Sequence, residues 1–110
     1  MLFQNVISAK GPFPVKGSFN AESDDTMVIF VSGSVWSNTP GQWVGVQILL
    51  DGNFIGDAVI FCNEATSHRA FIPVMIPATV AFGEHTITIQ AAGSSTVADI
   101  NDFFNVYIMY

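Results

Sequence analysis

Apolar residues recur at every second position along nearly the whole chain, and that spacing decides the fold class. Val44, Val46, Ile48 and Leu50 alternate with Trp43, Gly45, Gln47, Leu49 and Asp51, and His85, Ile87, Ile89 and Ala91 alternate with Thr86, Thr88 and Gln90. A two-residue period sends successive side chains to opposite faces of an extended strand. No window sustains a helical period, and the best helical candidate, Thr96–Asp102, has room for a turn or two only. Many short strands without helices must bury their apolar faces against one another, as a sandwich or a closed barrel. The reading is therefore all-β: an antiparallel β-sandwich of the jelly-roll kind with about seven or eight strands, in one domain over residues 1–110.

Strands are expected at Phe3–Ala9, Thr26–Trp36, Val44–Leu50, Phe54–Cys62, Arg69–Ile76, His85–Ala91 and Phe103–Tyr110, with the Pro- and Gly-bearing stretch GPFPVKG after the first. Asp51-Gly52 is a hairpin signal, because a two-residue turn wants positive φ. Pro40-Gly41, Gly83 and Gly93 mark further turns. Pro73 and Pro77 lack the backbone N–H of a ladder and push their strand to a sheet edge.

Charge narrows the range of partners. Half of the residues are apolar and 11% are charged, against about 25% charged in an ordinary soluble domain. Three basic residues stand against nine acidic ones, a net charge of −6. Such a chain offers no basic face for phosphates, which excludes nucleic acid as a partner, and none for an anionic membrane. The longest uninterrupted apolar runs, Met27–Val31 and Ala58–Cys62, have five residues each, far short of the roughly 20 that a spanning helix needs. MLFQNVISAKGPF has no basic region before an apolar run and no small-residue cleavage site, so no signal peptide is expected. The compartment stays open, with an extracellular or virion-associated setting compatible. Cys62 is the sole cysteine and reads as a small buried hydrophobe. Zinc motifs, phosphate-binding glycine loops and glycosylation sequons are absent from the sequence.

Two strands are apolar on both sides. Met27–Val31 is one. In Phe103–Tyr110, Phe104, Val106, Ile108 and Tyr110 form one face and Phe103, Asn105, Tyr107 and Met109 the other. A sheet with only one face on the core alternates instead. Either a long N-terminal segment, Met1–Phe19, covers the second face, or another subunit does. GEHTITIQAAGSSTVADINDFFNVYIMY resembles the end of the trimeric jelly-roll domains of the C1q and tumour-necrosis-factor type, in its aromatic-rich final strand at Phe103, Phe104, Val106, Tyr107, Ile108 and Tyr110. Small fibre-tip and capsid-associated jelly rolls of phages and viruses are an equal analogy. The two-faced final strand and the low charge point to a homo-oligomer with Phe103, Tyr107 and Met109 at the interface, and the resemblance puts a trimer first. The main functional expectation is a non-enzymatic structural or recognition module that self-assembles. The alternative is a carbohydrate-binding module or lectin.

Three places carry chemistry. Asp99, Asn101 and Asp102 hold oxygen-bearing side chains close in sequence, which either contribute to a calcium site or form a turn that caps backbone N–H groups. Asn63–Arg69 is the densest polar stretch, and Asn63, Glu64, His68 and Arg69 could present a hydrogen-bonding patch to a sugar, touch a neighbouring subunit, or form a plain loop. Trp36 and Trp43 bracket SNTPGQ, and Trp43 falls on the polar side of its alternation, where an exposed indole can stack on a glycan. Ser67-His68 with a distant Asp lacks the elbow of a hydrolase. His85 shares the register of Ile87 and Ile89 and reads as an inward, hydrogen-bonded histidine.

Overall fold

The computed structural model describes residues 2–110 and contains only strands and turns. In chain order the strands are β1 (Phe3–Lys10), β2 (Val15–Ala21), β3 (Asp25–Ser37), β4 (Gln42–Leu50), β5 (Asn53–Cys62), β6 (Arg69–Ala70), β7 (Val74–Val80), β8 (Gly83–Ala92), β9 (Thr96–Val97) and β10 (Phe103–Met109). Eight of them have seven residues or more, and β6 and β9 have two each. Every pairing is antiparallel.

Two sheets face each other. The first runs β1-β10-β3; β7 and then β6 pair with the far side of the long β3, and β9 pairs with its end at Trp36 and Ser37. The second runs β2-β8-β4-β5. Alternation fixes what each strand sends inward. Ile29, Val31, Val35, Phe104, Val106 and Ile108 from the first sheet meet Val44, Val46, Ile48, Ile87 and Ile89 from the second, all fully buried. Phe71, between β6 and β7, lies stacked near Phe104 with ring centroids 6.4 Å apart. Each such side chain contributes about 1.5–3 kcal/mol on burial. Cys62 is buried and free, as its apolar run implies.

The turn signals hold. Asp51 and Gly52 take φ of 52° and 83°, and β4 and β5 form the hairpin around them. One extra residue, Ile55, bulges out of β5 and shifts the register between Ile48 and Leu49. Pro77 sits on β7, which pairs only with β3 and so is an edge. His85 is enclosed, with its ring bonded to Asp51 and to the Ala81 carbonyl.

Three expectations change. The second half of GPFPVKG opens β2, a strand hidden in sequence because Gly17 takes one of its inward positions and the stretch opens on two prolines. Arg69–Ile76 is two strands, because the chain leaves the ladder at 71–73 to bury Phe71. Thr96–Asp102 is no helix: β9 takes its start and a turn at Ile100–Asn101 its end.

Among the described residues, the N-terminal segment leaves the second face of the final strand uncovered. β1 lies beside β10 in the same sheet and β2 joins the other sheet. Phe103 and Tyr107 are therefore exposed and Met109 half-buried on the outer face of the first sheet.

Candidate functional site

Topology collects the ligand and metal candidates expected from sequence at one end of the sandwich. The connections β1–β2, β3–β4, β5–β6 and β8–β10 all meet there, because those strands end or begin at the same edge of the two sheets. Within that end, two groups form on opposite outer faces.

The first group lies on the β3 side. Val35 points to the core, so Ser34 and Trp36 point out. His68 arrives from the β5–β6 connection, its ring centroid 6.0 Å from that of Trp36. Asp99 and Asp102 come from the connection before β10. Asp102 is fully buried. Its Oδ1 accepts from Ser34 Oγ at 2.7 Å and from His68 Nδ1 at 2.7 Å, and its Oδ2 accepts from the Asp99 N–H at 2.8 Å. Asp99 Oδ2 accepts from Trp36 Nε1 at 3.2 Å and Oδ1 from the Asn101 N–H at 2.8 Å. The hydrogen bond to Asp102 holds the His68 pKa above its ordinary value, against a small desolvation penalty, and the charges of Asp102 and Asp99 add to it.

This cluster is a capping turn with a histidine locked into it. Ligand atoms of His68, Asp99 and Asp102 lie within 4.8 Å of one another. Calcium asks for six to eight oxygens, yet all four carboxylate oxygens here already accept protein N–H or O–H groups. Asn101 joins through its backbone N–H. A hydrolytic triad needs a hydroxyl at His68 Nε2. That nitrogen instead faces Asp99 Oδ2 at 3.8 Å, and Ser34 bonds the carboxylate directly. Glu64 and Arg69 are exposed and form no ion pair with each other among the described residues. Asn63 is exposed on the same connection.

The second group lies on the opposite face, so the two tryptophans cannot grip one ligand. Val44 and Val46 point to the core, which turns Trp43, Gly45 and Gln47 outward. Trp43 is 65% exposed and meets Phe61 of β5 edge to face, with centroids 5.4 Å apart at 74°. The next row down is short: Val59, Gly45 and Ala92. A side chain at position 45 would run into the Ala58 carbonyl. Below that, Asp57, Gln47 and Gln90 stand side by side, and Gln90 Nε2 donates to Gln47 Oε1 at 3.0 Å. Phe54, 58% exposed, closes the face beside Leu49. The result is a shallow trough with an aromatic wall at each end and amide and carboxylate groups on its floor. From Trp43 to Leu49 it runs about 20 Å at the usual strand rise.

Trp43 was legible from its place in the alternation. Phe61 was not. Counting back from Asp51-Gly52 sets Trp43 opposite Ile60, and only the bulge at Ile55 moves Phe61 into line. Gln90 was visible as the polar member of a one-sided strand, but its partnership with Gln47 depends on β4 and β8 being neighbours.

A separate small cleft of about 80 Å³, between Glu22, Asp25, Met27 and Tyr110, lies at the far end and has room for water only.

No protein-family model matches the sequence, and no curated protein matches it. Solved structures do share the fold. A family 35 carbohydrate-binding module from Clostridium thermocellum is similar over 98% of this chain and 90% of its own, with a TM-score of 0.57 and 13% identity. A CBM35 from Cellvibrio japonicus Abf62 is similar over 93% of this chain and 67% of its own, with a TM-score of 0.58 and 11% identity. Part of dimeric latent PorU from Porphyromonas gingivalis is similar over 94% of this chain and 11% of its own, with a TM-score of 0.57 and 9% identity. At these identities the likeness establishes the jelly-roll sandwich, as the alternation implied. The narrower likeness to C1q-type domains or fibre tips is not what these structures have in common.

Proposed function

We propose that this chain is a carbohydrate-binding module whose ligand lies in the trough on the outer face of the second sheet. The observation that carries the reading is Trp43, 65% exposed and braced by Phe61 rather than sunk in the core. A large aromatic plane held rigid in water costs apolar exposure that a module without a ligand has no reason to keep. A sugar ring presents an apolar C–H face to such a plane and a rim of hydroxyls to its surroundings. Gln47, Gln90 and Asp57 supply amide donors, amide acceptors and a carboxylate to that rim. Two of the three structures named above are carbohydrate-binding modules, which supports the reading from an independent side. The length of the trough fits several sugar units in line rather than one terminal sugar.

Affinity electrophoresis through gels containing soluble polysaccharides tests this. The chain is retarded by at least one glycan, and Trp43→Ala is not. Retardation that survives Trp43→Ala overturns the assignment, and migration unaffected by any plant, microbial or animal glycan overturns the reading.

Self-assembly is the second reading, and the observation favouring it is the outer face of the first sheet. Phe3 and Met75 are each 66% exposed there, with Tyr107 between them and Phe103 further along the final strand. A structural role of that kind is compatible with glycan binding on the opposite face.

A further inference from the structure

We infer that a second copy of this chain covers the outer face of the first sheet, the two sheets packing face to face about a twofold axis; this rests on the self-association reading. Cross-strand register builds the face in rows. Phe3, Met109, Val28 and Pro77 make one row, and Asn5, Tyr107, Phe30 and Met75 the next. Ser8, Asn105 and Ser32 follow, and Phe103 stands beyond them beside Lys10. The even residues of β3 point outward here because Met27, Ile29 and Val31 are committed to the core.

Charge selects a second copy as the occupant. The chain has nine acidic residues and a net charge of −6, yet no Asp or Glu stands in these three rows. Two acidic copies meet with least repulsion where both faces are neutral. The one charge at the margin of these rows is Lys10, beside Phe103, which two acidic copies tolerate.

The area is sufficient. Four strands about 4.8 Å apart, with β6 taking over from β7, followed for eight residues along β3 from Val28 through the Phe103 row, give a face of roughly 500 Å². Two copies then cover about 1,000 Å² between them, the floor for a specific interface. The contact repeats the domain's own solution, one pleated apolar face laid on another.

Symmetry follows from the face being one continuous patch. One copy turned about a twofold axis covers the whole patch, and the interface closes without leaving a second sticky patch. Three copies around an axis each cover only part of it. The trimer implied by the C1q-type resemblance therefore gives way to a dimer.

Sedimentation velocity on the full chain, from micromolar to submillimolar concentration, reads the outcome. The unmodified protein sediments at twice the monomer mass. Met75→Glu, on an edge strand where the side chain is already exposed, gives a monomer with an unchanged near-ultraviolet dichroism spectrum. Tyr107→Asp does the same from the centre of the face. Phe54→Asp, on the opposite sheet, leaves the dimer intact. A trimer mass overturns the twofold packing. A dimer that both Met75→Glu and Tyr107→Asp leave whole overturns the face while self-association stands. A monomer at submillimolar concentration overturns both.

Discussion

The two outer faces of the sandwich begin from the same alternation and end with different chemistry. On the first sheet, outward positions of neighbouring strands line up apolar beside apolar: Phe3 by Met109 by Val28, and Tyr107 by Phe30 by Met75. On the second they line up in bands, aromatic at Trp43 and Phe61, small at Gly45 and Ala92, polar at Asp57, Gln47 and Gln90. A face with continuous apolar rows suits another protein surface, which is itself mostly apolar at its centre. A banded face suits a ligand that is apolar on its ring faces and polar around its rim. The difference is one of register, not of composition, and register is what a single sequence shows least.

The same lesson holds for Trp36 and Trp43. Six residues separate them, and the β3–β4 connection carries the chain from one sheet to the other. Trp36 is half-buried, with its indole N–H bound to Asp99. Trp43 is open to solvent. Only the second is free to serve a ligand.

The largest effect is expected at the locked turn, because it is the part of the loop end that holds the fold rather than a ligand. Asp102→Ala strips a fully buried carboxylate from Ser34, His68 and the Asp99 N–H. The loss is about 3 kcal/mol, which lowers Tm by more than about 10 °C in a domain of this size. Calorimetry reads it, and glycan affinity of the variant measured well below its Tm stays close to that of the unmodified protein. A collapse of affinity at unchanged Tm would move the site to the wrong face.

Next in size is Trp43→Ala, which lowers glycan affinity at least tenfold, about 1.4 kcal/mol, and leaves Tm within a few degrees. Isothermal titration with an oligosaccharide series sharpens the point. Affinity rises with each added unit until the trough is filled, and Phe54→Ala weakens long oligosaccharides without affecting short ones. Equal losses for both would place the ligand wholly at the Trp43 end.

How much of this the sequence could show depends on what each feature rests on. Strands and turns rest on neighbours in the chain, so the Val44–Leu50 alternation, the Asp51-Gly52 hairpin and the Pro77 edge were all legible. β2 was not, because Gly17 takes one of its inward positions and the stretch opens on two prolines. At the loop end, Asp99, Asp102 and His68 were picked out separately, as a calcium loop and a sugar patch. Only the fold, through the pairing of β6 with β3 and the return before β10, makes them one hydrogen-bonded unit. Phe61 escaped because its alignment hangs on a single bulged residue.

Acidity gives a smaller effect. His68 and His85 both have raised pKa values in the folded state, from the hydrogen bonds to Asp102 and to Asp51. The folded protein holds these protons more tightly, so their contribution is complete below the ordinary value of 6.5 and disappears as the pH rises through the raised values. Burial works to raise the Asp51 pKa, but its bonds from His85 and the Thr86 N–H outweigh that and hold it below 3.8. Its contribution is present above 3.8 and lost as the pH falls through the lowered value. Tm is therefore highest between the two and declines by a few degrees into mildly alkaline buffer. His85→Gln flattens that decline more than His68→Gln, because the His85 side chain is 13% exposed and that of His68 37%. A Tm that climbs steadily with pH would contradict both assignments.

The smallest effect is expected from calcium. The carboxylate oxygens of Asp99 and Asp102 are already taken by protein donors, so millimolar calcium leaves Tm where a chelator leaves it. A clear rise would mean that the turn opens to an ion.

Backbone amide chemical shifts recorded as a binding oligosaccharide is titrated into the labelled protein test the division between the two faces most directly. The shifts are expected to concentrate at Trp43, Gly45, Gln47, Val59, Phe61 and Gln90, with Phe3, Met75 and Tyr107 unmoved. Shifts concentrated instead at Trp36, His68 and Asp99–Asp102, or on the outer face of the first sheet, would contradict it.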